Sequence, residues 1–344
     1  MTSNTHQSAS TAHKGDFSSK DRLLLLSLFG IVIGGISTLG AYVLFAAIRF
    51  FTNLFFYQTF SVAARSPADN HLGAWVIVVP AIGGLIVGLM ARFGSEKIRG
   101  HGIPEALEAI LFGKSRMSVK VALLKPLSSG IVIGSGGPFG AEGPIIMTGG
   151  AAASLLAQRF SLTSAERKAL LVAGACAGMT AVFGTPLAAV LLAVELLLFE
   201  LRPRSLLPVT LACTVAGFLR PVWAGGGPLF AMTTPEPTAI AIGSCIVAGL
   251  ASGALSSAMT NSLYFIEDSF SRLSLHWMWW PALGGLVIGI GGYFEPRALG
   301  VGYDVIGDLL ANQLALAAVA ALIIVKTIIW LVALGSGTSG GVLA

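Results

Sequence analysis

The chain alternates between long apolar runs and short polar breaks. Apolar stretches cover Leu23–Phe51, Leu72–Ala91, Val119–Ile133, Pro144–Leu156, Lys168–Val182, Leu187–Phe199, Leu206–Phe218, Ala239–Phe265, Trp279–Tyr293 and Leu314–Leu334. A straight helix needs about 20 apolar residues to cross the hydrocarbon core of a bilayer, and several of these runs are shorter. Short hydrophobic segments interrupted by Gly or Pro predict discontinuous helices. Their irregular backbone survives at membrane depth only inside protein or beside water. Ahead of the first run, residues Met1 to Arg22 are polar and rich in Ser and Thr, which predicts a disordered tail.

Composition sharpens the class. Of 344 residues, 55% are hydrophobic and 11% charged, against about 25% charged in an average soluble domain. An all-α polytopic membrane protein follows. The 43 glycines suit closely packed and interrupted membrane helices. The net charge of +5 does not imply nucleic acid, because basic residues gather in short loops. The segment from Arg92 to Lys125 carries Arg92, Lys97, Arg99, Lys114, Arg116, Lys120 and Lys125, whereas Thr52 to His71 has only Arg65. The positive-inside rule therefore puts the N-terminus and the Arg92–Arg99 loop in the cytoplasm. Cys176, Cys213 and Cys245 lie in apolar runs without metal-ligand spacing, so they read as small core residues. No cofactor and no metal are called for.

An internal repeat organises the chain. Pro80–Gly88 matches Pro281–Gly289 at an offset of 201 residues, and Gly134-Ser135-Gly136 matches Gly335-Ser336-Gly337 at the same offset. Between them, Gly100-His101-Gly102 matches Gly300-Val301-Gly302. Paired Gly-interrupted segments in two halves point to a site at the repeat interface. The expected division is a tail over 1–22, a first repeat over 23–220 and a second over 236–344. The second repeat stops at Ala344, opposite Gly143 of the first, so the chain is expected to be a fragment with an incomplete second repeat.

Chemistry concentrates in one Gly-rich break, Gly134 to Pro144, which carries a lone acid, Glu142, between two apolar runs. An ionisable group at membrane depth marks a functional site by default. Pro144 suits the first turn of a following helix, and a helix N-terminus facing a cavity is a ready anion site. A carboxylate there competes with the anion it mimics. Gly100-His101-Gly102-Ile103-Pro104-Glu105 opens an amphipathic stretch to Leu111 and predicts a second helix start. By itself that motif reads sooner as an ordinary helix-capping loop.

Together, Gly100–Pro104, Gly140–Pro144 and the interrupted Gly341-Val342-Leu343-Ala344 resemble the CLC family of chloride channels and chloride/proton antiporters. Leu170 to Glu195 is also similar to the family's stretch after the second motif. The resemblance implies two inverted halves of tilted, incomplete helices and, at full length, a homodimer in which each subunit holds its own anion path. It further implies that chloride is held at helix N-termini by His101, Gly102, Ile103, Pro104, Ala141, Gly143, Val342 and Leu343, and that Glu142 is the gate. Three departures stand out: His101 replaces a common serine, Ala141 the usual Lys or Arg, and Leu196 an inner proton-transfer glutamate of many proton-coupled members.

The resulting expectation is chloride transport across the cell membrane by a multi-pass, CLC-type voltage-gated channel, with the lipid bilayer as its surroundings and no nucleic acid among its partners. Leu196 leans toward a channel or a loosely coupled exchanger, and chloride/proton antiport is the alternative. Glu195 and Glu200, expected on one apolar helix, are the candidate proton path. A membrane-embedded enzyme is a distant rival, since the apolar segments hold no HExxH, paired Asp or Ser–His arrangement. Trp277, Trp279 and Trp280 read as an interfacial aromatic belt.

Overall fold

A computed structural model describes residues 20–227, 230, 236 and 238–342. The expected disordered tail therefore lies almost wholly outside the described residues. The helices are α1 (Lys20–Tyr57), α2 (Val78–Phe93), α3 (Ile103–Leu111), α4 (Val119–Gly134), α5 (Glu142–Ala157), α6 (Ser164–Phe183), α7 (Pro186–Leu192), α8 (Pro203–Leu219), α9 (Pro221–Ala224), α10 (Ala239–Ser271), α11 (Trp280–Phe294), α12 (Tyr303–Leu310) and α13 (Leu316–Gly335). Among the described residues no strand forms, and the one extended pairing is an isolated bridge between Gly140 and Gly341. Arg22–Tyr57, Gly73–Phe93, Pro203–Ala224, Ala239–Ser271 and Leu316–Gly335 are each long and apolar enough to cross a membrane. Most helices between them are shorter, as the broken apolar runs predict; α6, with 20 residues, is the exception.

The chain divides into two compact units. The first comprises Met1–Tyr42, Ala106–Ala122 and Ile145–Gly226. Its interior is built by close approach of small residues, the usual device where lipid removes the hydrophobic drive between helices. Gly30 and Gly34 of α1 lie on the Pro208 and Ala212 carbonyls of α8, and Gly149 of α5 and Gly174 of α6 face each other's carbonyls. α6 begins with a capping box, the Thr163 side chain accepting from Glu166 N–H and the Glu166 carboxylate accepting from Thr163 N–H. Glu166, fully buried, also pairs with Arg22 at 2.6 Å.

The second unit comprises Val43–Glu105, Leu123–Pro144 and Gly227–Ala344. Its centre is the pair α2 and α11, which carry the strongest sequence repeat. Gly84 lies on the Pro281 carbonyl, and its mate Gly285 lies on the Pro80 carbonyl. Likewise Gly88 meets Met278, and Gly289 meets Ile77. As residue numbers rise along one helix they fall along the other, so the two run antiparallel. Equivalent helices that exchange equivalent contacts while antiparallel are related by a two-fold axis across them, which is an inverted repeat. Flanking contacts obey the same exchange: Gly83 faces Ser135 of the helix-ending turn after α4, and Gly284 faces Ser336 after α13.

Candidate anion site

All three glycine motifs meet inside the second unit. The turn after α4 is anchored by Phe139, fully buried, whose ring leaves no room for a side chain on Gly340. Gly341 N–H donates to the Gly140 carbonyl at 3.1 Å, and Gly340 N–H donates to the Gly100 carbonyl at 3.4 Å. Gly143 lies against the His101 carbonyl and the Gly341 Cα, and Gly102 against the Gly143 backbone. Three backbones thus approach with no side chain between them, which is why the motifs are glycines. α3 and α5 both start here, and the first amides of a helix have no partner within it.

Glu142 begins α5 and is only 2% exposed. Its Oε2 is buried without a hydrogen-bond partner and lies against Gly341. An unsatisfied buried carboxylate oxygen is costly, so its place at this junction is a mark of function rather than of stability. Ala141 is fully buried beside it. The carbonyl of Val342 accepts from the Trp330 indole at 3.0 Å. Leu343 lies outside the described residues. The Gly102 N–H is occupied, since it donates to Glu105 Oε2 at 2.7 Å. His101 Nδ1 is buried and unpartnered. Burial foremost lowers the imidazole's pKa; the nearby Glu105 carboxylate opposes this, and Lys125 adds to it. The titration thus moves to the acid side of its ordinary value.

The proton-path candidates do not share a helix. Glu195 is exposed within the wide-turned π segment Ala193–Leu198, which ends where Phe199 takes a left-handed conformation with φ 55°. Glu200 follows in the link to α8. Pro203 cannot continue the ladder and restricts Arg202 ahead of it, so the helical spacing breaks there. Glu200 accepts from Ser205 Oγ at 2.6 Å and pairs with Arg202 at 3.3 Å. Both acids belong to the first unit.

Two residues have structural places beside the motifs that the charge pattern concealed. Lys125, counted by sequence among the loop cations, is fully buried within α4. Its Nζ donates to the carbonyls of Ile98 and Gly100, each at 2.9 Å, and so fixes the loop that presents His101 and Gly102. Arg99 stacks on Trp277, with its guanidinium carbon 4.4 Å from the ring centre, so that tryptophan holds a cation.

An α-helical polytopic membrane protein with glycine-paired inverted repeats and a walled-in acid at a helix start is the class defined so far. Comparison with known proteins narrows it. The family described as voltage gated chloride channel matches residues 82–344. The voltage-gated ClC-type chloride channel ClcB of Citrobacter koseri is 32% identical over 285 residues, covering 80% of this chain and 67% of that protein. The same-named protein of Salmonella typhimurium is 33% identical over 287 residues, with the same coverage. Among solved structures, a slow cyanobacterial Cl⁻/H⁺ antiporter superposes with a TM-score of 0.77 at 19% identity, over 93% of this chain and 75% of that one. A CLC-type fluoride/proton antiporter gives 0.75 at 20% identity, over 94% and 78%. The chain belongs to the CLC family of membrane transport proteins, and it is not an enzyme.

Proposed function

We propose that this protein moves chloride across the cell membrane in exchange for protons, with Glu142 as the gate. One observation carries the reading: a 2%-exposed carboxylate whose Oε2 has no partner stands where three glycine backbones converge. A chloride ion and a carboxylate oxygen compete for the same helix-end dipoles. Protonation removes the carboxylate's charge, frees the place and moves a proton with the same side chain. His101, Gly102, Ile103, Pro104, Ala141, Gly143, Val342 and Leu343 line the anion position in this reading. Chloride is the ion named for the curated relatives. Exchange is preferred over free conduction, which Leu196 had favoured, because solved structures of this fold include antiporters of chloride and of fluoride. Glu195 takes the inner proton step, since Glu200 is already paired with Arg202. The N-terminus is cytoplasmic, the halves divide as 23–220 and 236–344, and two copies form the working unit.

The test is a chloride gradient imposed across vesicles holding the protein, with external pH recorded. Uphill proton movement that stops in Glu142→Gln supports exchange. Chloride flux with no proton movement supports conduction. Absence of any anion flux refutes transport by this chain.

A further inference from the structure

The repeat that pairs Ser135 with Ser336 also pairs Lys125 with Lys326, at the same offset of 201 residues. The two lysines have opposite fates. Lys125 is buried and committed, with its ammonium held by two backbone carbonyls and the carboxylate of Glu105 nearby. Lys326 sits within the membrane-length helix Leu316–Gly335, half-buried, and makes no hydrogen bond or ion pair among the described residues. Its Nζ fills the space where a side chain on Gly302 would stand. Val305 occupies the place that Glu105 holds in the first repeat. The remaining acid nearby, Asp304, acts on Lys326 through space, and its Oδ2 accepts from Ser66 Oγ at 2.6 Å.

A charge in a membrane span is costly unless paired or lining water. Lys125 meets that cost with carbonyls, and Lys326 does not. The position also leads toward the gate. Gly302 is followed by Tyr303, whose buried hydroxyl has no hydrogen-bond partner and lies within electrostatic reach of Glu142. We propose that Lys326 is a further anion-handling residue: a water-facing ammonium, freed by its repeat-mate's structural role, that recruits the transported anion toward Glu142. This rests on the transport reading above. It supplies the full positive charge that Ala141, in place of a cation, does not.

The experiment uses the protein with Cys245, the exposed cysteine, replaced by Ser; Cys176 and Cys213 are buried. Lys326→Met should lower initial chloride flux about three- to tenfold near 10 mM salt, with the gap closing near 300 mM as screening sets in. Lys326→Arg should keep the flux. If Lys326→Met does not fold, Lys326→Cys is modified after reconstitution. A cationic methanethiosulfonate should then raise flux, and an anionic one should lower it further. Equal flux for Lys326→Met and the parent at all salt concentrations overturns the proposal, as do two reagents with the same effect. A parent without anion flux is a failure of the transport reading alone. The reagents still decide in that case: a thiol at 326 that neither reaches removes the ammonium from any aqueous path, and one that reacts faster with the anionic reagent supports recruitment.

Discussion

Replacing Gly102 by Ala tests whether the anion site is held by backbone contact. Gly102 has φ +92°, a left-handed conformation that costs an L-residue about 1–2 kcal/mol. Its new Cβ would also fall on Gly143, 2.6 Å from the carbonyl carbon and 2.9 Å from Cα, closer still to the oxygen. Backbone atoms cannot rotate away, so α3 and α5 must separate, and such overpacking costs about 1–3 kcal/mol more. The expected loss is about 2–5 kcal/mol. Gly73 supplies the control, having φ +57° and nothing within 4 Å of an added Cβ. Gly73→Ala should therefore cost only the backbone term, about 1–2 kcal/mol. Gly249, in open space within α10, should gain about 0.5–1 kcal/mol as Ala. Thermal unfolding in detergent, followed by tryptophan fluorescence, ranks the three variants, and vesicle chloride flux is measured beside it. If Gly102→Ala is no less stable than Gly73→Ala and carries wild-type flux, close contact of the motifs is not what holds the site.

Glu142→Ala should make chloride flux less dependent on external pH and cut coupled proton movement at least about tenfold; a pH profile identical to wild type in vesicles would remove Glu142 from the gate. In that background His101→Ser should change the chloride/nitrate ratio and abolish a rise in anion affinity on acidification. The burial that lowers the His101 pKa puts this rise below the ordinary value of about 6.5, and the sign follows from a cation gained as pH falls. An unchanged ratio and profile would leave His101 a turn residue. Glu195→Gln should slow proton movement while Glu200→Gln chiefly lowers stability, by about 1 kcal/mol for its partly exposed ion pair and hydrogen bond; equal effects on proton movement would show that the ion pair does not decide between them.

The helices were legible because apolar runs and their Gly or Pro ends are local properties. α10 and α13 follow Ala239–Phe265 and Leu314–Leu334 to within a turn or two. The meeting of the glycine motifs was legible as well, since paired Gly-interrupted segments in two halves point to one junction. What stayed hidden depends on packing. Lys125 looks like any loop cation until the Ile98 and Gly100 carbonyls close on it. The occupation of Gly102 N–H by Glu105 is a matter of rotamer. The spacing of Glu195 and Glu200 suggested one helix, and only the left-handed Phe199 shows where that helix stops.

The repeat offers the remaining step. Exchange symmetry is kept where the helices touch, at Gly84 with Gly285 and Ser135 with Ser336, because there each half is the other's packing partner. It is broken where charge is handled. Glu105 faces a valine mate at Val305, and His101 faces Val301. Mutual packing constrains both copies at once, so neither contact residue can change alone. Residues outside these contacts are free of that constraint. The pair Lys125 and Lys326 lies on the dividing line: one residue type, one offset, and two environments, with carbonyls around the first and the side-chain-free Gly302 beside the second. The symmetric positions therefore define the scaffold of this protein. The broken ones, Glu105, His101 and Lys326, are where substitutions should alter ion handling with the smallest loss of fold.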